Sequence, residues 1–286
     1  MVCFSSITNL CYSKVLLYAH IYWFIGHIPS FCYNLFMKVT PVKTRKIIPG
    51  RDRDILEILD KYLPRLKERT IIAVTSKIVA ICEGRTIPNT GQDKLDLAKK
   101  EANLYHLLPS KKYRMLLTVK NHRLGFTAGI DESNGKGVFI LWPQDPQKSA
   151  NQIRAHLAKK HGLQYIGVII TDTTSAPMLR GQRGQFLAHS GFAALNSYVG
   201  KPDIFGRKLK MTKAAVADAL GTTAVLLMGE GDEQTPLAII EDVPFVKFQK
   251  RNPTKAELKE LNMELEDDLY APVLKAVQWR RGGSKN

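Results

Sequence analysis

The sequence predicts a globular fold that combines buried β-strands with amphipathic helices. Runs of β-branched residues, such as 168–170, are typical of covered strands, and apolar residues at helical spacing, as in 52–66, are typical of helices packed on a sheet. A third observation concerns function, because Asp172 follows the run 168–170 and is flanked by three threonines. Ligands gather at strand ends in covered sheets, so we expect Asp172 just past its strand, in a metal or phosphate site. A helix cap or a turn aspartate is the alternative.

The first half of the chain alternates strands and helices. A strand is expected at 37–42, a helix at 52–66 from its 3.6-residue apolar stripe, and a strand at 70–75. Ser76 and Lys77 are then expected at a turn before the apolar run 78–82. Composition predicts a helix at 93–105 and a strand at 113–119. The polar, glycine-rich residues 129–137 predict a loop before a strand at 138–141.

The second half follows the same pattern. A helix is expected at 149–160, a basic flexible loop at 179–185, and a short helix at 211–220 capped by Thr212. The apolar run 222–228 predicts another strand, which opens into an acidic, glycine-rich loop at 229–234. Thr254 and Glu257 form a capping box for a terminal helix, and residues 280–286 are expected to fray.

Composition limits the partners. The net charge of +16 over 286 residues implies a positive field that attracts polyanions, namely nucleic acid, nucleotides or polycarboxylates. The basic residues are spread along the chain in pairs at most, so a dedicated nucleic-acid arm is not indicated and no nucleic-acid partner is expected. The four cysteines form no CxxC or Cys/His ligand set, so neither a disulfide framework nor zinc is expected and a reducing cytoplasm is the default.

Residues 1–36 differ in kind from the rest. They contain a single charge, Lys14, and an apolar, aromatic run at 15–28 that is long enough with its continuation to suggest a membrane span. Pro29, Ser30 and two histidines weaken that interpretation, and no small-residue cleavage site supports a signal peptide. A working start at Met37 is the other interpretation. We therefore divide the chain into an apolar extension at 1–36, a main domain at 37–250, and a C-terminal helix with a basic tail at 251–286.

Three acidic loops lie beside strongly apolar segments. They contain Asp131, Asp172 and the cluster 230–233. Carboxylates that meet without basic partners repel one another, and a divalent cation such as Mg²⁺ or Mn²⁺ relieves that repulsion. The loops could instead be three separate solvated segments. No P-loop, dinucleotide fingerprint or nucleophile elbow occurs, and His189, beside small residues, is interpreted as structural.

Several short segments, in order, resemble the coenzyme F420-0:L-glutamate ligase family. They are Ser76-Lys77, Glu83-Gly84-Arg85, and residues 128–134, 143–150, 170–173, 180–182, 214–218 and 228–231. The resemblance runs from about residue 37 to 240. It implies an α+β fold, with mixed sheets, flanking helices and two intimately joined subdomains, and a homodimer. It also implies a reaction in which GTP, with Mg²⁺ or Mn²⁺, drives formation of an amide bond between an acceptor carboxylate and the amino group of L-glutamate.

The resemblance also implies residue roles. Asp131 and Asp172 would be the catalytic carboxylates, and the metal ligands would be Asp131, Asp172, Thr173 and Glu230. The nucleotide contacts would be Ser76, Lys77, Asn134, Met228, Gly229, Glu230, Gly231, Asp232 and Glu233, with residues 46–50 at the position of an N-terminal nucleotide loop.

The chain departs from the family pattern at one position. Where the family usually has Ser-Lys-Ala-Glu-Gly, residues 80–84 read Ala-Ile-Cys-Glu-Gly, so Ile81 replaces a nucleotide-binding lysine. The choice between GTP and ATP is therefore open. The acceptor is open as well, between a deazaflavin and a folate-like or other carboxylate. A non-catalytic or nucleic-acid-binding relative and a metal-dependent hydrolase are the competing functions.

Overall fold

A five-stranded mixed sheet forms the centre of the computed structural model, which describes residues 37–108 and 114–284. Its strand order is β1 (Lys38–Val42), β12 (Leu237–Glu241), β2 (Thr70–Thr75), β8 (Ile166–Thr174) and β9 (Arg183–Ser190). Only β2 and β8 run parallel, with Thr75 opposite Thr171, and the other neighbouring pairs in this sheet are antiparallel. The parallel pair brings two strand ends to one edge of the sheet.

Helices cover both faces of this sheet. Helices α1 (Ile55–Tyr62) and α4 (Pro146–His161) pack Leu59, Ile153 and Leu157 against one face, and α5 (Val216–Met228) packs Leu220 and Ala224 against the other. Helix α2 (Ser76–Cys82) continues directly from β2, and α3 (Lys94–Glu101), α6 (Lys255–Leu261) and α7 (Ala271–Ala276) lie further along the chain. Because both faces are covered, ligands are expected at the sheet edges.

A second, antiparallel sheet has the strand order β13 (Arg280–Arg281), β4 (Leu104–Leu107), β5 (Leu116–Lys120) and β6 (Arg123–Phe126). A 3₁₀ turn, Thr127–Gly129, follows β6 and leads to Asp131. Two further pairs complete the described strands, β3 (Thr86–Pro88) with β7 (Val138–Ile140) and β10 (Leu195–Ser197) with β11 (Lys213–Ala215). The second sheet therefore delivers the loop that carries Asp131.

Several predicted elements are confirmed. The first strand and the strand at 70–75 occur as expected, residues 129–137 form a loop before β7, and Thr254 and Glu257 make both capping-box hydrogen bonds at α6. The helices predicted at 52–66 and 149–160 are present as α1 and α4, with N-caps at Asp54 and Asp145. The fold is thus a mixed α+β structure with several sheets.

The prediction that Asp172 lies just past the end of its strand is wrong. Asp172 lies inside β8 and not past it, because β8 continues to Thr174 by pairing with β9 after a register shift between Ile170 and Thr171. A cap or turn role for Asp172 is excluded by this pairing. Residues 183–185, predicted as part of a flexible loop, are the first residues of β9.

Other boundaries also differ from the prediction. Ser76 begins α2 and does not lie at a turn, and residues 222–228 are the second half of α5 and not a strand. Thr212 is not a helix cap, because residues 213–215 form β11 and α5 begins at Val216. Helix α3 spans Lys94–Glu101, so it is shorter than the helix predicted at 93–105. Arg280, predicted to lie in a frayed tail, pairs with Tyr105 in the second sheet.

Some expectations lie outside the described residues. They are the predictions about residues 1–36, about the start of the strand expected at 113–119, and about the last two residues of the basic tail. Within 37–108 and 114–284 no helix is long and apolar enough to cross a membrane. The arrangement into two intimately joined subdomains stays a prediction.

Candidate functional site

A cavity of about 990 Å³ lies where β2 and β8 end side by side. Because Thr75 pairs with Thr171, the next residues, Ser76 and Asp172, are brought together at the sheet edge. The loop after the 3₁₀ turn and the loop after α5 complete the lining. Every residue predicted for the site lines this cavity: Ser76, Lys77, Asp131, Asn134, Asp172, Thr173, Met228, Gly229, Glu230, Gly231, Asp232 and Glu233.

Asp172 is held by two donors. Ser76 Oγ donates to Oδ1 over 3.0 Å, and Trp142 Nε1 donates to Oδ2 over 2.8 Å. Burial raises the pKa of Asp172 from 3.8 to about 6, and the nearby charge of Asp131 adds to this, although both hydrogen bonds act in the opposite direction. The site thus contains a carboxylate whose charge is incompletely compensated, which is a feature of ligand and metal sites.

Asp131 has the opposite electrostatic environment. Its Oδ2 lies 2.7 Å from the Lys77 ammonium, and the backbone and hydroxyl of Ser133 donate to it over 2.7 and 3.1 Å. Burial acts to raise the pKa of Asp131, but the hydrogen bond and charge of Lys77 outweigh burial and hold the pKa below its ordinary value. One acid of the site is therefore fully charged at neutral pH and already paired.

The glycine-rich loop after α5 reaches both neighbours. Thr173 Oγ1 donates to the Glu230 carboxylate over 2.9 Å, and Asn134 Nδ2 donates to the Gly231 carbonyl over 3.0 Å. Within the loop, Gly231 N donates to Glu233 Oε2 over 2.8 Å. Three segments that are distant in sequence thus share one hydrogen-bonded rim.

The oxygen donors of the site suit a hard cation. Asp131, Asp172, Thr173 and Glu230 offer carboxylate and hydroxyl oxygens to one cavity, and these are the ligands that Mg²⁺ and Mn²⁺ prefer. Among the residues that the structure describes, no three His, Cys, Asp or Glu side chains gather closely enough to form a ready metal cluster. Each carboxylate instead has its own protein donor. The metal set therefore stays a prediction, supported by the chemistry of the donors and by the raised pKa of Asp172.

Sequence reasoning missed several residues of the cavity. Trp142 is buried directly after the strand predicted at 138–141, and no local pattern marks its indole N–H as a partner of Asp172. Lys94 and Lys136 line the cavity with Lys77, which gives it a positive side. Lys46, at the start of the N-terminal nucleotide loop implied by the resemblance, also lines it.

Three further residues, Ile81, His189 and Cys82, are buried in the protein. Ile81 is buried against Ala80 and Ile140. His189 is buried on β9 between the rings of Phe186 and Phe192, and burial lowers its pKa to about 4. Burial also raises the pKa of the Cys82 thiol to about 12, so it is not a reactive nucleophile.

The fold and the cavity together define a class of protein. It is an α+β protein in which carboxylates, hydroxyls and lysines meet at the open edge of a covered sheet, an arrangement that suits a polyanionic ligand.

Comparison with known proteins gives the particular family. A family model described as F420-0:Gamma-glutamyl ligase matches residues 41–242. The Coenzyme F420:L-glutamate ligase of Methanococcus maripaludis (strain C6) is 31% identical over 250 residues, which cover 82% of this chain and 97% of that protein. The proteins of that name from Methanocaldococcus jannaschii and Methanopyrus kandleri are 32% and 30% identical, covering 68% and 77% of this chain and 84% and 92% of their own lengths. The chain belongs to the F420-0:γ-glutamyl ligase family.

Proposed function

We propose that the protein is a ligase that joins L-glutamate by an amide bond to a carboxylate of an acceptor of the coenzyme F420-0 type, using a nucleoside triphosphate. One observation carries the proposal. The resembling segments that carry the predicted site residues, namely Ser76-Lys77 and parts of 128–134, 170–173 and 228–231, are far apart in sequence, yet they line a single cavity and are hydrogen-bonded to one another there. Solvated loops with no shared role would have no reason to converge.

The nucleotide is assigned to the side of the cavity formed by α2 and the loop 229–234. The Lys77 ammonium, the Ser76 hydroxyl and the Asn134 amide offer donors there, and the loop lines the same side of the cavity. A cavity of about 990 Å³ is large enough for a nucleotide together with part of an acceptor. GTP and ATP both remain candidates, since Ile81 is buried and supplies no charge.

Mg²⁺ or Mn²⁺ would be held by Asp131, Asp172, Thr173 and Glu230. When bound, such an ion reduces the negative charge of the phosphates and polarises the γ-phosphoryl group. Binding would also require Asp131 to share its oxygens between the ion and Lys77, and Glu230 to turn from Thr173. Asp172 is the acid with most to gain, because burial opposes its charge.

The chemistry needs positioning more than acid–base catalysis. An oxygen of the acceptor carboxylate attacks the γ-phosphorus, the bond to the bridging oxygen breaks, and nucleoside diphosphate leaves. The amine of glutamate then attacks the acyl carbon, and inorganic phosphate and a proton are released. Both reactants of the first step are anions, so the lysines that line the cavity, Lys46, Lys77, Lys94 and Lys136, lower their mutual repulsion.

The proposal is tested by incubating the full chain with glutamate, GTP or ATP, Mg²⁺ or Mn²⁺, and a panel of deazaflavin and pterin acids, then weighing the products. We expect one glutamate to be added to an F420-0-type acceptor with stoichiometric release of nucleoside diphosphate. The Asp172→Asn variant should lose at least about 100-fold in rate, in line with the loss of a charged group from such a site. As a control, Asp267→Asn, which changes an acid that does not line the cavity, should retain wild-type activity.

Other outcomes would overturn the proposal. Full activity of Asp172→Asn would exclude the site assignment. Nucleotide hydrolysis that needs no amine would indicate a metal-dependent hydrolase. Salt-sensitive binding of RNA without nucleotide turnover would favour a nucleic-acid-binding relative, for which the net charge of +16 is the motive.

We also propose that the protein is a homodimer. The support is a hairpin between β10 and β11 whose tip exposes Ile204 and Phe205, at 92% and 89% of their surfaces. Adjacent exposed apolar side chains of this size are typical of interaction surfaces.

A further inference from the structure

A small niche adjoins the main cavity behind Asp172. It has a volume of about 20 Å³, and it shares Phe126, Gly129, Asp172, Thr173 and Thr174 with the main cavity. Strands β5 and β6 supply the far wall, which includes Lys120 and Arg123, and β9 supplies Gln185. A water needs roughly 10–15 Å³, so the niche has room for one small polar group and none for a ring system.

Arg123 brings an uncompensated positive charge to this niche. Its guanidinium lies 4.2 Å over the Phe186 ring, which fixes its orientation. Within the described part of the chain no hydrogen bond or ion pair engages it. Burial lowers its pKa, and the positive charge of Arg183 acts in the same direction, although Asp218 and Asp172 oppose these effects from a distance. A desolvated guanidinium with free donors is well suited to a planar anion.

The other positively charged side chain of the niche, Lys120, already has an ion-pair partner. Lys120 Nζ lies 2.7 Å from Glu101 Oε2, and Arg85 also pairs with that oxygen at 2.7 Å. Lys120 is therefore already engaged in an ion pair within the protein, although it shares the single Glu101 carboxylate with Arg85. Arg123 is the charge that awaits a partner.

Gln185 adds a second group without a partner. Its side chain is only 6% exposed and lines the niche, yet no hydrogen bond to it occurs among the described residues. Gln185 is the direct cross-strand neighbour of Asp172, so both side chains lie on the same face of the sheet. Among the described residues the fully buried side-chain atoms without a partner belong to other residues, so the Gln185 amide keeps access to the niche and can hydrogen-bond a ligand or water there.

We infer that Arg123 and Gln185 bind a carboxylate of the incoming L-glutamate. This assignment rests on the proposed function. A carboxylate matches the planar guanidinium, accepts from the amide, and fits a niche that excludes the bulk of the acceptor. Because the niche opens beside Asp172 and Thr173, glutamate held there would extend its amine into the main cavity, where the acyl group is formed.

The test measures binding of radiolabelled L-glutamate by equilibrium dialysis in the presence of a non-hydrolysable nucleotide, together with KM values for glutamate, nucleotide and acceptor. We expect Arg123→Gln to weaken glutamate binding roughly 10- to 100-fold, the usual effect of losing a charged hydrogen bond, with little change in the other two KM values. Arg123→Lys and Gln185→Leu should have smaller effects. The control is Arg65→Gln, which removes an exposed positive charge that lines neither cavity and does not act on Arg123. It should leave glutamate binding unchanged.

A competition experiment with wild-type protein tests the inference without relying on any variant to fold. Glutamine keeps the α-carboxylate and lacks the γ-carboxylate, whereas glutamate α-amide has the reverse. At least one should compete about tenfold more weakly than glutamate, and Arg123→Gln should abolish that discrimination.

Three results would overturn the inference: wild-type glutamate binding by Arg123→Gln, an equal effect of Arg65→Gln, or a rise in the KM for the acceptor alone. A wild-type chain that forms no product with any acceptor would instead overturn the proposed function, so the two failures are distinguishable.

Discussion

Asp172 is an acid whose surroundings oppose its ionisation. Its pKa is about 6 in the folded protein against an ordinary value of 3.8. Between these two pH values the folded state binds more protons than the unfolded state, so the free energy of unfolding falls as pH rises through this window. Above pH 6 the cost of the buried charge is fully present. A site that carries such a cost is expected to recover it when a ligand compensates the charge.

We therefore predict that Asp172→Asn stabilises the protein in the absence of divalent ions. Its free energy of unfolding should exceed that of the wild type by about 1–2 kcal/mol at pH 7.5, and the difference should shrink as pH falls and vanish below roughly pH 3, where Asp172 is protonated in both states. Urea unfolding in EDTA at the two pH values measures this. A variant less stable than the wild type at pH 7.5 would contradict the pKa assignment.

Trp142 controls both the position and the charge of Asp172. Trp142→Phe keeps an aromatic ring, although a smaller one, and removes the 2.8 Å hydrogen bond, so the pKa of Asp172 should rise further. We expect the acid limb of the ligase pH profile to move to higher pH and stability at pH 7.5 to fall by about 1 kcal/mol. Trp279→Phe is the matched control, because that indole donates to the Leu274 carbonyl and lines no part of the cavity. Identical pH profiles for the wild type and Trp142→Phe would exclude this role.

At the scale of elements, the end of the 3₁₀ turn packs closely against Trp142, which follows β7. Gly129 has φ +72°, and a Cβ added there would lie 2.0 Å from Trp142 Nε1. Gly137 also has a positive φ, +84°, but a Cβ there meets nothing within 4 Å. A substitution at Gly137 therefore introduces backbone strain alone, whereas a substitution at Gly129 adds a steric conflict with Trp142.

We predict that Gly137→Ala costs about 1 kcal/mol of stability, the usual penalty for a left-handed alanine, and that Gly129→Ala costs at least about 3 kcal/mol because the Trp142 ring must also move. Thermal unfolding of both variants gives the comparison. Gly129→Ala should in addition lower ligase activity, since the displaced indole no longer holds Asp172. Equal losses of stability would show that the Trp142 ring moves freely.

The extent to which the sequence predicts these elements depends on how local their cause is. The 70–75 strand and the capping box of α6 follow from local residue types, and both are confirmed. Residues 222–228 were read as a strand because a short apolar run with threonines has no clear period. In the structure Ala224 and Met228 face the sheet while Leu226 and Leu227 are exposed, which is helical spacing. Asp172 was placed past its strand because the pairing with β9 that extends β8 is a tertiary interaction.

The site follows the same rule at the scale of the molecule. The acidic loops and Ser76-Lys77 could be found from residue types and family resemblance, and all of them line one cavity. Trp142, Arg123 and Gln185 could not, because each acquires its role from a neighbour in another element. An apolar or isolated polar residue has no local pattern that indicates such a contact.

At the scale of the whole molecule, the proposed homodimer depends on the hairpin formed by β10 and β11. The hairpin between Leu195 and Ala215 is held by hydrogen bonds such as Gly200 N to Leu209 O, at 2.8 Å, so its tip is an ordered structure. That tip presents Ile204 and Phe205 to solvent. Exposed apolar groups on a rigid projection are stabilised when a second copy covers them, and each buried Phe contributes about 2 kcal/mol.

We predict that Phe205→Asp raises the dimer dissociation constant roughly 100- to 1000-fold, because each protomer loses one buried ring and gains a buried charge. Light scattering coupled to gel filtration across a concentration series measures the constant. Leu269→Asp is the control, since Leu269 is similarly exposed, at 85%, and lies outside the hairpin. A wild-type chain that is monomeric at 100-fold dilution and at high concentration alike would exclude the dimer. An equal shift by Leu269→Asp would locate the interface elsewhere on the surface.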